Sequence, residues 1–225
     1  MKELKRHFYP LLFFVFAFTA TYAQQPPPFY SDIKAFEKQD SAHLPQKGII
    51  LFVGSSSFTK WTDVHDYFPG YPIINRGFGG SSLPDVIRYA DEIIFPYQPG
   101  QIVIYCGEND LAASDTVTAQ TVFARFKQLF EMIRQKLPNA KVDYVSMKPS
   151  PSRRHLMPKF KEGNLLIKKY LKTKKNTSFI DAYSKMLNAD GTPIADIFLS
   201  DSLHMNAKGY QIWQKIIAPR LLKIK

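Results

Sequence analysis

Three serines follow an apolar run in the stretch GIILFVGSSSFTKW, residues 48–61. A serine placed just past a strand and at the start of a helix turns its hydroxyl outward, beside backbone N–H groups that the first helical turn leaves unpaired. At neutral pH that hydroxyl is a weak nucleophile. It needs a base, normally a histidine held in one tautomer by a carboxylate. Far along the chain, DSLH sets Asp201 and His204 three residues apart, so one turn can bring the carboxylate against Nδ1 and leave Nε2 free. Charge developing on a carbonyl oxygen also needs donors, which glycine N–H groups and an asparagine amide supply. The segments NRGFGGSS and GEND contain both kinds. The chemistry these residues suit is nucleophilic acyl transfer, with Ser55, Ser56 and Ser57 each open as the nucleophile.

Such residues need elements to bring them together. Short β-branched runs predict strands at 49–53, 72–75, 101–106, 141–147 and 178–181. Between them, helical spacing predicts helices at 58–68, 83–95, 117–137, 158–174 and 207–222, with a further capped helix at 31–43. In the 117–137 segment, Val122, Phe126, Leu129, Phe130, Ile133 and Leu137 recur at helical intervals ahead of Pro138. Alternation of this kind implies an α/β fold, a parallel sheet covered by helices on both faces. Open sheets of that class bind ligands at the carboxyl ends of their strands. There the chain carries GSSS, RGFGGSS, GEND, KPSPSRRH and, before the last helix, DSLH. Arg153, Arg154 and His155, after the fourth strand, are candidates to line an acyl or alcohol pocket, and Asp181, closing the fifth, is a competing carboxylate. Asn75 and Asp110 are expected to hold their loops through side-chain to backbone hydrogen bonds.

The chain of 225 residues suits one domain. Its start belongs to another class: Lys2, Lys5 and Arg6 precede an apolar run, Phe8 to Ala20, and Thr21-Tyr22-Ala23 supplies small residues before Gln24. This pattern predicts a signal peptide over 1–23, too short to span a bilayer, and hence a secreted or periplasmic protein without stable membrane insertion. Residues 24–48 then form a linker and a helix packed on the domain, which occupies 49–225. The formal charge of +11 falls to +9 once Lys2, Glu3, Lys5 and Arg6 are removed. The densest basic cluster, Lys168 to Lys175, sits on a predicted helix with no nucleic-acid motif, so a solvated face is expected there and no nucleic-acid partner. A single cysteine, Cys106, ends an apolar strand and is expected to be a buried, inert thiol.

Taken in order, VGSSSF, NRGFGGSS, GEND and DSLHMNAKGY resemble the four sequence blocks of the SGNH hydrolases, the GDSL-type lipase and esterase superfamily. Within it the chain is most similar to esterases related to platelet-activating-factor acetylhydrolase catalytic subunits. The resemblance implies a flavodoxin-like three-layer αβα sandwich with a five-stranded parallel sheet, and no cofactor or metal. Residue by residue it implies Ser56 as nucleophile and Asp201 with His204 as the acid–base pair. The N–H groups of Ser56 and Gly80 and the Asn109 amide would form the oxyanion hole. One position departs from the pattern: Ser55 stands where the family usually has aspartate. The expected activity is hydrolysis of a short, acetyl-type ester of a small molecule, glycan or lipid-like substrate. Two other readings compete, a flavodoxin-like module holding a phosphate on GSSSFTK and a noncatalytic glycan-binding relative.

Overall fold

The computed structural model describes residues 25–42 and 46–223; the predicted signal peptide and the end of the first helix at His43 lie outside them. Five strands form one sheet: β1 Ile50–Gly54, β2 Ile73–Gly77, β3 Gln101–Tyr105, β4 Lys141–Val145 and β5 Thr177–Ile180. All pair in parallel, in the order β2-β1-β3-β4-β5, the flavodoxin-like arrangement. β1 and β3 are buried throughout, as strands covered on both faces must be.

The pleat sends alternate side chains into two cores. Leu51, Val53, Ile102, Ile104, Val142 and Tyr144 face one side. They meet α1 (Tyr30–Ala42), α4 (Leu83–Arg88), α5 (Ala90–Ile93), α7 (Ala119–Lys136) and α8 (Met157–Leu171). Ile50, Phe52, Val103, Tyr105 and Val145 face the other, under α2 (Ser56–Thr59), α3 (Val64–Tyr67) and α9 (Ala207–Ile217). This second core is aromatic: Trp61 stacks on Tyr210 at 4.7 Å and Trp213 meets Tyr105 edge-on at 4.7 Å.

Several predicted helices end or break early. The 58–68 segment is two short helices, because Trp61 turns inward and is wholly buried between them. The 83–95 segment breaks at Tyr89, whose hydroxyl reaches back to the Pro28 carbonyl. α8 stops at Leu171, where Thr177 Oγ1 takes up the Leu171 and Lys174 carbonyls, and α9 gives way to a 3-10 turn containing Pro219, which has no N–H to continue the ladder. Beyond Ser146, whose N–H still reaches the Ile180 carbonyl of β5, the main chain leaves the sheet: Asn164 binds both the N–H and the carbonyl of Met147.

At the carboxyl end of β1 the backbone admits only glycine. Gly54 has φ +138°, and a Cβ there would lie 1.9 Å from the Tyr105 carbonyl oxygen. Its absence lets β1 and β3 close tightly, with Ser55 N–H on Tyr105 O at 3.0 Å. The direction in which Ser55 and Ser56 leave the sheet follows from that contact.

Candidate active site

The residues carried by the strand exits converge. Ser56 opens α2, and its Oγ lies 3.0 Å from His204 Nε2, although 148 positions separate them. His204 Nδ1 lies 2.6 Å from Asp201 Oδ2. Asp201 Oδ1 accepts from the backbone N–H groups of Leu203 and His204, both at 2.9 Å, so the carboxylate shapes the turn it sits on. An ionised carboxylate has only acceptors, so Nδ1 carries the proton toward it and Nε2 is free to accept from Ser56. Hydrogen bonds from the imidazole, and then from those two amides, hold the Asp201 carboxyl well below the usual carboxylate range. The turn is fixed from outside as well. Ser152 gives both its N–H and its hydroxyl to the Ser202 carbonyl, at 3.1 and 3.0 Å, while Asn206 caps α9 just beyond.

The neighbouring serines do other work. Ser57 is buried and its carbonyl accepts the Tyr210 hydroxyl at 2.9 Å. Ser55 is buried, its hydroxyl receiving the Asn109 amide at 2.7 Å. Of the three, Ser56 is the one in contact with the histidine.

Gly80 lies in the loop after β2 with φ +85°. The loop is pinned by Phe78 N–H and Ser81 Oγ, which both donate to the Gly54 carbonyl at 2.9 and 3.2 Å. Asn109 Nδ2 also reaches the Ser81 carbonyl, at 2.9 Å, so GEND and the glycine loop are joined directly. GEND opens a helix, α6 (Glu108–Ala113), with Gly107 at its N-cap. Among the described residues, the N–H groups of Ser56 and Gly80 donate to no protein acceptor. Asp110 binds Leu83 N–H and Arg125, and Asn75 binds Phe58 O and Gly77 N–H, the loop-holding roles expected of both.

Arg153 donates to Asn109 Oδ1 at 2.8 Å and to Glu108 Oε1 at 3.4 Å. Arg154 and His155 are exposed, and none of their described hydrogen bonds reaches the site. Asp181 holds Ser184 through its N–H and hydroxyl, at 3.0 and 2.7 Å, and not the histidine. Cys106 is buried, and burial pushes its thiol up in pKa. The sequence reading did not single out Glu108 or Lys148. They form a buried ion pair with Nζ–O distances of 3.1 and 3.3 Å, joined by the Tyr105 hydroxyl. Nor did it find Phe29, which packs edge-on against Phe78 at 5.2 Å and stands 3.9 Å from where a Cβ on Gly80 would lie. A lysine just past a buried strand was the available signal for the ion pair; Phe29, in a proline-rich segment, carried none.

The family model of the GDSL-like lipase/acylhydrolase family matches residues 52–212. No curated protein matches the chain. Among solved structures it is similar to a GDSL-like lipase from Bacteroides thetaiotaomicron, with 23% identity and a TM-score of 0.72 over 84% of this chain and 96% of that one. A Streptococcus pneumoniae structure named for platelet activating factor is 16% identical, TM-score 0.74, over 85% and 92%. A catalytic mutant of an acetylxylan esterase from Geobacillus stearothermophilus is 13% identical, TM-score 0.62, over 78% and 94%. Likeness at these identities establishes the fold.

Proposed function

The chain belongs to the GDSL-like lipase/acylhydrolase family and is an ester-hydrolysing enzyme, and from that premise we propose that it works through an acyl-enzyme on Ser56. The observation that carries this is the unbroken contact from Asp201 through His204 to Ser56. In the first half-reaction Nε2 takes the Oγ proton as Oγ bonds to the ester carbonyl carbon. The tetrahedral intermediate then collapses, and the imidazolium returns the proton to the departing alcohol oxygen. Water repeats the sequence on the acyl-serine, releasing the carboxylic acid and restoring the hydroxyl. The N–H groups of Ser56 and Gly80 and the Asn109 amide receive the oxyanion. In the free enzyme one Asn109 N–H rests on the neutral Ser55 hydroxyl. An oxyanion is the stronger acceptor, since charge-assisted hydrogen bonds are roughly twice as strong as neutral ones, so the donor transfers as charge develops.

The natural substrate under this reading is a short-chain, acetyl-type ester of a carbohydrate or lipid-like alcohol, met outside the cytoplasm after export. The strand exits carry mostly small and polar residues, and Phe29 and Phe78 give the Gly80 loop a short apolar wall. The purified protein is therefore expected to have a higher kcat/KM on p-nitrophenyl acetate than on the eight-carbon ester. The reverse order rejects the short-acyl assignment.

The pH profile tests the base. Protonated imidazole cannot accept the Ser56 proton, so kcat/KM falls on the acid side. A carboxyl with a lowered folded pKa stays ionised until pH drops through that lowered value, so Asp201 still holds the imidazole throughout the fall. On the acid side the decline of log kcat/KM is expected to approach a slope of one, for one proton. A limiting slope of two would show the carboxylate titrating alongside the imidazole, against the assigned pair.

A further inference from the structure

We propose that Arg153 is a positioning residue for the oxyanion hole: it grips the carbonyl end of the Asn109 side chain and so aims the N–H end at the reacting ester. This rests on the reading of Asn109 as an oxyanion donor given above.

A primary amide presents donors at one end and an acceptor at the other, and rotation by half a turn about its last bond exchanges them. With the ends exchanged, Asn109 would offer lone pairs to a developing negative charge. Arg153 forbids that orientation. Its guanidinium has donors alone, and Nη2 lies 2.8 Å from Oδ1; the rotated amide would set N–H against N–H. The Ser81 carbonyl, which only accepts, enforces the same choice from the Nδ2 side at 2.9 Å. The positive charge on the Oδ1 side also polarises the amide, strengthening its N–H as a donor.

Arg153 is in turn held from behind. Its Nη1 faces the Glu108 carboxylate at 3.4 Å, and Glu108 is buried and shared with Lys148 and the Tyr105 hydroxyl. Glu108 precedes Asn109 in α6, so the arginine spans two successive side chains of one helical turn. The Arg153 side chain is 18% exposed, and two of its guanidinium nitrogens are engaged within the protein, which leaves it badly placed to bind substrate. The turn bearing Arg153, residues 151–156, also supplies Ser152 to the loop of Asp201 and His204. One segment thus braces the donor side and the base side of the site.

The test is a double-mutant cycle on kcat and KM for p-nitrophenyl acetate, with wild type, R153A, N109A and the double variant, plus R153K. R153A is expected to lower kcat by about 10- to 100-fold with KM changed less than about twofold, a part of what loss of a whole oxyanion donor costs. In the N109A background the same substitution should change kcat by less than about twofold, because the group it positions is gone. R153K keeps a charge but not the fork and should fall between wild type and R153A. A purely structural role would lower the melting temperature and cost the same factor in both backgrounds, and a substrate contact would raise KM in both. Either result overturns the proposal. If N109A alone retains near wild-type kcat, the donor reading of Asn109 fails instead, and the proposal fails with it.

Discussion

Ser56→Ala is expected to lower kcat for p-nitrophenyl acetate by at least about 10³-fold while the protein stays folded. The hydroxyl contributes one described hydrogen bond, to His204, and alanine is a good helix former at the start of α2. Stability should therefore change little, and circular dichroism and the melting temperature check that the loss is chemical. Ser55→Ala and Ser57→Ala are the controls that give the experiment its force. Ser57 is buried, and its described side-chain partner, the Tyr210 hydroxyl, reaches its carbonyl and not its hydroxyl, so its loss should leave kcat within a few-fold. Ser55→Ala removes the resting partner of one Asn109 N–H but leaves the Ser56–His204 contact intact, and should retain most of the activity. An inactive Ser55 or Ser57 variant beside an active Ser56→Ala would move the nucleophile by one position and sink the assignment.

Asn109→Ala should behave differently from loss of the nucleophile. An oxyanion donor matters most as charge develops on the carbonyl oxygen, so kcat is expected to fall by about 10² to 10³ with KM almost unchanged. The pH profile should keep its shape, since Asp201 and His204 are untouched. Removing Asn109 also frees the Ser81 carbonyl, Ser55 Oγ and Arg153, so a modest fall in melting temperature is expected alongside. A variant with near wild-type kcat would leave the oxyanion to the backbone N–H groups of Ser56 and Gly80.

Much of the architecture was legible because it depends on local periodicity. Apolar residues at helical spacing marked α7 to within two residues at each end, and the β-branched runs marked all five strands. What escaped was where packing overrides pattern: Trp61 breaking a helix by turning into the core, or Asn164 taking the main chain of Met147 out of the strand. At the site, the Asp201 and His204 pairing was legible for the same local reason, since one turn closes three residues.

The sequence by itself determined the strand and helix alternation, the edge of the sheet on which chemistry would gather, and the residue types that gather there. Only the tertiary structure decided which serine meets His204. One step along the chain reverses a side chain's direction, and the outcome depends on how Gly54, at φ +138°, presses against the Tyr105 carbonyl. It likewise decided that Arg153 meets Asn109. Those two residues lie 44 positions apart, and they meet because β3 and β4 are neighbours in the sheet. No local pattern encodes a contact that depends on which strands pair.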